Sequence, residues 1–215
     1  MSGGSLNSPQ LSKMSLVVFR APNPVPSVMT FQYNPETVSR DVQANIVEGS
    51  AGGTVRFGGA ATESLKMECV FDATDALEDG FELASETGVR PQIAALEILL
   101  APSIAIEIAN TALLALGTLE ILPSEAPFLV LIMGERIRPV RLSGLSVTEE
   151  FFDENLNPVR AKVSLDFAIV PYSELDPTHP GYALAVNHQR RRESLAVKGR
   201  QASLSSVIAQ QLRGF

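Results

Sequence analysis

Two long stretches of alternating side chains in the second half of the chain, residues 138–152 and 159–170, constrain its fold more than any other feature. A period of two puts successive side chains on opposite faces of an extended chain. The turn-rich Asp153-Glu154-Asn155-Leu156-Asn157-Pro158 between them makes an antiparallel hairpin the natural reading. A shorter stretch repeats the pattern: Leu65, Met67, Cys69 and Phe71 point one way, Lys66 and Glu68 the other. Residues 128–133 form a continuous apolar run suited to a central strand, and residues 16–19 and 28–33 read as short strands. Asn34-Pro35 ends the latter, because the residue before proline is pushed out of helical conformation and Asn favours turns. Val38, Arg40, Val42, Ala44 and Ile46 alternate as in a half-buried strand.

Helical signals fall between the strands. An acidic run over residues 72–86 leads to Pro91, a favourable first-turn residue, after which Ile93, Leu96, Leu99 and Leu100 share one helical face. Pro102 ends that helix, Ser103 caps a second, and Gly117 suits its C-terminal end. The apolar region 93–122 carries Glu97, Glu107 and Glu120. A carboxylate at mid-bilayer costs roughly 2.5–3.5 kcal/mol, so a pair of buried helices is expected instead of a membrane span. Residues 1–15, rich in Ser and Gly, lack the apolar middle of a secretion signal and read as a flexible leader. The resulting fold class is mainly β with a helical flank (α+β). It is divided into the leader at 1–15, a β domain at 16–175 and a basic loop and helical extension at 176–215.

Composition narrows the chemistry. Across 215 residues, 45% are hydrophobic and 19% charged, which places the chain among folded proteins. One cysteine and two histidines exclude an internal disulfide, a multi-thiolate zinc site and most histidine metal centres. A net charge of −7 argues against a nucleic-acid coat, and the absence of Trp against stacking platforms. The glycines at 49, 52, 53, 58 and 59 lack the Gly-Lys-Ser/Thr of a phosphate loop and read as a hairpin loop. Asp72, Asp75, Glu78 and Asp79 lack the alternating oxygen ligands of an EF-hand. Glu149, Glu150, Asp153 and Glu154 offer an acid/base pair for glycoside hydrolysis, or simply an exposed acidic turn. His179 and His188 have no serine or cysteine nucleophile motif to serve, and Cys69 reads as a small core side chain.

The charge is unevenly distributed. Residues 186–215 hold six basic side chains (Arg190, Arg191, Arg192, Lys198, Arg200 and Arg213) against Glu193, a local excess of five, so the preceding residues carry −12. Leu204, Val207, Ile208 and Leu212 fall at helical spacing, which fits a basic amphipathic docking helix for an acidic or apolar partner, or a solvated tail.

Four blocks carry a further signal. They are Phe31-Gln32-Tyr33-Asn34-Pro35-Glu36-Thr37-Val38-Ser39-Arg40; residues 63–75 with Phe71-Asp72-Ala73-Thr74-Asp75; Val89-Arg90-Pro91-Gln92-Ile93-Ala94-Ala95-Leu96; and residues 146–164, with Leu156-Asn157-Pro158-Val159-Arg160. In this order they resemble the tube-related baseplate adaptors of phage-tail-like contractile injection systems, over residues 16–175. The LysM module that often follows in that family has no counterpart after Tyr172. The resemblance implies a tube-like β-barrel or β-sandwich with one or two helices, built into a ring, sixfold, that joins the central spike to the inner tube. Its implied partners are further copies of itself and the inner-tube, spike and baseplate proteins. No nucleic acid, membrane insertion, catalytic residue, metal or cofactor is implied. Assembly in the bacterial cytoplasm as part of an injection particle is expected.

Such a part needs strand edges that pair between subunits. The hairpin at 138–170 is the candidate for that pairing, or an ordinary internal hairpin. Candidate assembly contacts are Arg138, Arg141, Glu149, Glu150, Asn157, Arg160 and Lys162 on it, with Arg190, Arg191 and Arg192 on the tail. The rivals are another tube or cap component of the same particle and, from a different class, a β-sandwich carbohydrate-binding or hydrolase domain.

Overall fold

In the computed structural model, residues 12–20, 25–47, 55–78, 80, 82–117 and 125–212 are described, with side chains through residue 201. Seven antiparallel strands make one sheet, in the order β2-β1-β7-β8-β9-β6-β3. They are β1 (Ser15–Phe19), β2 (Ser27–Thr30), β3 (Val38–Gln43), β6 (Thr62–Asp72), β7 (Phe128–Met133), β8 (Arg136–Phe152) and β9 (Pro158–Ile169). A separate two-stranded ribbon pairs β4 (Ile46–Val47) with β5 (Arg56–Phe57). Four helices interrupt the strands: α1 (Thr74–Glu78), α2 (Glu82–Thr87), α3 (Arg90–Glu97) and α4 (Ile104–Ala115). A fifth, α5 (Pro180–Leu212), ends the described chain.

This is the mainly β fold with a helical flank that the alternation implies. The hairpin is the longest element, with β8 paired to β9 from Val140↔Ile169 to Phe152↔Pro158 around a bulge at Leu142/Gly144. Every second residue of β6 faces inward: Leu65, Met67, Cys69 and Phe71 join Val163, Leu165 and Phe167 of β9 in the core. Burial, and next the Glu68 carboxylate beside it, push the Cys69 thiol up to about 12, so it behaves as a small apolar side chain.

The sheet is not closed into a barrel, because its edge strands β2 and β3 do not pair. The connection between them bridges the gap instead. The second strand stops at Thr30, short of the expected Tyr33, because Phe31 leaves the ladder and buries completely, stacking on Phe71 with ring centroids 6.0 Å apart. Its amide donates to the Met14 carbonyl at 3.0 Å.

Two expectations are corrected. The alternating segment at 38–46 is not half-buried: every residue of β3 is exposed, since it is the outermost strand and no described element covers it. The region 93–122 is not a pair of buried helices. Helix α3 buries Ile93 and Leu96 and has Pro91 in its first turn as expected, but Leu100 beyond it is exposed. No residue of α4 is buried, and Ile104, Ile108 and Leu114 are exposed, its half-buried residues being Ile106, Ala109, Asn110 and Leu113. Ser103 does sit at its N-cap, without a side-chain hydrogen bond. Residues 1–11, most of the Pro-rich connection before Val25, residues 48–54 of the Gly-rich loop and the side chains of Leu204, Val207, Ile208 and Leu212 lie outside the described residues. No helix among the described residues is long and apolar enough to cross a membrane.

The helical extension begins as part of the packed body. Ala185 is buried, Gly181 lies against the Phe128 ring, and the 33-residue helix rises about 50 Å in all. His179 starts it: its Nδ1 accepts the Gly181 amide at 3.0 Å and its ring meets Phe128 edge-on at 4.6 Å. Residues 193–201 are exposed throughout.

Candidate functional site

The polar groups of the molecule gather at the two ends of β6, and the four sequence blocks meet at one of them. At the Asp72 end, the Asp72 amide donates to Gln32 Oε1 (2.9 Å) and the Ala73 amide to the Val159 carbonyl (2.8 Å). The Val89 amide donates to the Pro158 carbonyl (2.9 Å), and Arg90 to Asn157 Oδ1 (3.2 Å). Asn34 accepts the Met14 amide at 2.8 Å and donates to the Ser12 carbonyl at 3.0 Å. Residues far apart in the chain are thereby joined through backbone groups, which explains the residue types: short amides and carboxylates satisfy peptide groups that the ending strands leave open.

Asp153 and Asp72 show the same chemistry. Asp153 accepts the amides of Asn155 and Asn157 and the Asn157 side chain, at 2.7–2.9 Å, holding the hairpin turn in which Leu156 has a φ of 61°. Those bonds hold its carboxyl below the ordinary carboxylate value, first through the Asn157 side chain. Asp72 is lowered likewise, chiefly by the Thr74 hydroxyl and amide at the start of α1. Glu150 is engaged by Lys162 (2.8 Å) and Arg160 (3.9 Å) across the hairpin. Of the four carboxylates weighed for hydrolysis, Asp153 therefore holds the turn and Glu150 is ion-paired, while Glu149 and Glu154 are exposed.

At the opposite end sits Glu63, buried to 3% exposure, with three guanidinium groups around it. Arg192 of α5 donates to Oε2 at 2.8 Å, while Arg40 of β3 and Arg138 of β8 lie 3.5 and 3.9 Å from Oε1. Neither of these last two makes a hydrogen bond to Oε1, and Arg138 Nε is buried without an acceptor. Burial lowers the Arg138 pKa against the opposing pull of Glu63. His188, one turn before Arg192, has its pKa lowered by burial first and by the neighbouring Arg138 next. One carboxylate thus connects β3, β6, β8 and α5.

The ten candidate contacts divide accordingly. Arg138 and Asn157 are buried and bond within the chain. Arg160 and Lys162 both pair with Glu150, and Arg141 pairs with Glu174 at 3.6 Å. Arg191 binds the Glu135 carbonyl and carboxylate, and Arg192 binds Glu63. Glu149 and Arg190 are exposed and without a partner among the described residues. Sequence reasoning missed Glu63 and Arg40. The available signal was phase: Glu63 alternates in step with Leu65, Met67, Cys69 and Phe71, so an inward carboxylate was implied.

A third feature is an open strand edge. Strand β7 pairs only with residues 136–140 of β8, from Met133↔Arg136 to Leu129↔Val140. Residues 141–152 therefore have β9 on one side and, among the described residues, no strand on the other. That edge runs about 40 Å. The described residues contain no group of three His, Cys, Asp or Glu side chains placed to hold a metal.

No curated protein matches the chain. A family model described as contractile injection system tube protein matches residues 10–174, which takes in all four blocks, both ends of β6 and the open edge of β8. The chain belongs to the contractile injection system tube protein family, and its role is that of a structural component of a tail or tube.

Proposed function

We propose that this chain is an adaptor at the spike–tube junction of the baseplate, working by assembly and not by chemistry. Copies form a ring that joins the central spike to the inner tube. The observation that carries the reading is the open edge of β8 over residues 141–152. An edge of that length presents a row of unpaired amides and carbonyls, which in an assembled part is satisfied by a strand of the next copy. The outer edges of β2 and β3 are the available complements. The exposed members among the ten candidate contacts, Arg141, Glu149 and Arg190 foremost, are assigned to contacts with the tube, spike and baseplate proteins. A position in the tube body or its cap is the second reading, favoured by the tube-protein description of the matching family.

The test is assembly. Mass photometry of the purified chain should show a ring, and co-expression should recover it with tube and spike proteins. Lysine at two exposed edge positions, Ser146→Lys with Thr148→Lys, should leave a folded monomer. A wild-type chain that stays monomeric and binds neither partner overturns the proposal. Recovery with tube protein alone selects the tube-body position.

A further inference from the structure

The two ends of the molecule carry opposite charge, and each lacks a counterpart that the other supplies. Between β3, the start of β8 and α5 lies a cleft of about 460 Å³ lined by Arg40, Arg136, Arg138, Arg191, Arg192 and Lys198. Only Glu135 at its rim and Glu63 beneath it oppose these six, leaving an excess of four positive charges. Arg136 and Lys198 are exposed and have no ion-pair partner among the described residues, and Arg138 Nε is buried with no acceptor. That donor set is complementary to carboxylates.

The opposite end is acidic. Residues 72–88 contain no Lys or Arg. Asp75 and Glu78 of α1 and Glu82 and Glu86 of α2 are exposed, and none of them is ion-paired among the described residues. Glu149 and Glu154 of the hairpin are exposed at this same end, where β9 begins beside Asp72. The acidic helices leave from the last residue of β6, and the basic cleft surrounds its second, so about 30 Å of strand separates them. Within one copy they cannot meet.

We infer that the acidic α1–α2 segment of one copy docks in the basic cleft of the next, so that copies associate head to tail along the strand direction. The occupant is a second copy, since the chain itself carries a complementary surface of unpaired carboxylates at the far end of the same sheet. A contact between unlike surfaces is heterologous: it leaves one acidic and one basic end open at each step and gives the assembly a direction. It is distinct from the edge-to-edge pairing of β8 and rests only on the family's self-assembly, so each can fail alone. Being solvent-accessible and charge-driven, it weakens with salt.

Charge reversal tests it. Arg136→Glu with Lys198→Glu alters the cleft, and Glu78→Lys with Glu82→Lys alters the helices; all four residues are exposed, and unchanged circular dichroism and melting certify the fold. At about 50 mM salt, where screening is weak, each double variant should associate head to tail at least about tenfold more weakly than wild type. An equimolar mixture of the two should recover association, because the unaltered cleft of the helix variant then meets the unaltered helices of the cleft variant. Carbodiimide, which joins amines to carboxylates without a spacer, should link Lys198 of isotopically labelled wild-type copies to Glu78 or Glu82 of unlabelled ones. Unaltered association of either variant, no recovery on mixing, or the absence of these links between copies overturns the inference. Rings that persist in both variants keep the edge pairing, and a wild type that forms no ring while retaining the links keeps only the head-to-tail contact.

Discussion

The Asp72 end and the Glu63 end of β6 hold polar groups against the same apolar sheet by opposite means. At the first, side chains near the surface bond the backbone: Gln32, Asn34, Asp72 and Asp153 each satisfy peptide groups or turn amides that the ending strands leave open. Many small bonds share the task, and none involves a deeply buried charge without a partner. At the second, one buried carboxylate is ringed by cations from three other elements, with an excess of positive charge and two polar atoms left without hydrogen bonds. The difference teaches that the first end closes its backbone groups locally, Arg160 Nε being its one buried side-chain atom without a hydrogen bond among the described residues, while the second leaves buried charges unbalanced in a single copy.

Removing Glu63 is the harshest way to break this comparison. Glu63→Ala leaves Arg138 buried with no anion and releases Arg192 from the sheet. Breaking a buried pair from one side costs about 3–5 kcal/mol. Urea unfolding should show that loss; a loss below about 1 kcal/mol would mean that water, and not the carboxylate, balances the arginines. The matching probe at the other end is Gly88, which has a φ of 58° and where an added Cβ would lie 2.1 Å from the Pro158 carbonyl oxygen. Gly88→Ala should cost more than the roughly 1–2 kcal/mol of a left-handed residue alone. Gly80→Ala, at a φ of 72° with nothing within 4 Å, supplies that conformational part by itself. Equal losses at the two glycines, measured by thermal melts, would show that the junction between α2 and the hairpin gives way easily.

How much of this was legible follows from the same contrast. The Asp72 end lies in the sequence as recognisable strings, because turns, caps and strand ends demand particular residue types at fixed local spacing: Asn34-Pro35, Asp72-Ala73-Thr74, Arg90-Pro91 and Asn157-Pro158. The hairpin, the β6 alternation and the first turn of α3 at Pro91 are local in the same sense. The Glu63 end is assembled from residues as distant as Arg40 and Arg192, and no local pattern pairs them. Exposure also escaped the pattern. The sequence of α4 is as apolar as a core helix, yet what covers Ile104, Ile108 and Leu114 is a question of neighbours, and β3 alternates although all its residues are exposed among the described residues. In the tail, the helix begins at Pro180, ahead of the helical spacing at 204–212, and buries Ala185 in its second turn.

Acid should separate the two ends by where each begins to lose stability, with the smallest effect of the three. His188 has a folded-state pKa lowered from 6.5 by burial and by the arginines beside it, so the unfolded chain takes up the proton first. Stability is therefore unaffected by this group above about 6.5 and declines as the pH falls from there toward the folded value. The carboxyls of Asp72 and Asp153 are lowered from 3.8 by their hydrogen bonds, so their contribution is intact above that value and disappears only as the pH falls through their lower folded values. Urea midpoints measured between pH 8 and pH 5 should thus fall slightly, by way of the Glu63 end alone, and His188→Gln should flatten that slope while leaving the steeper loss below pH 4 in place. A slope unchanged in His188→Gln would assign the mild-acid loss elsewhere. A slope of opposite sign would mean that His188 is charged in the folded protein, with Glu63 and not the arginines governing its proton.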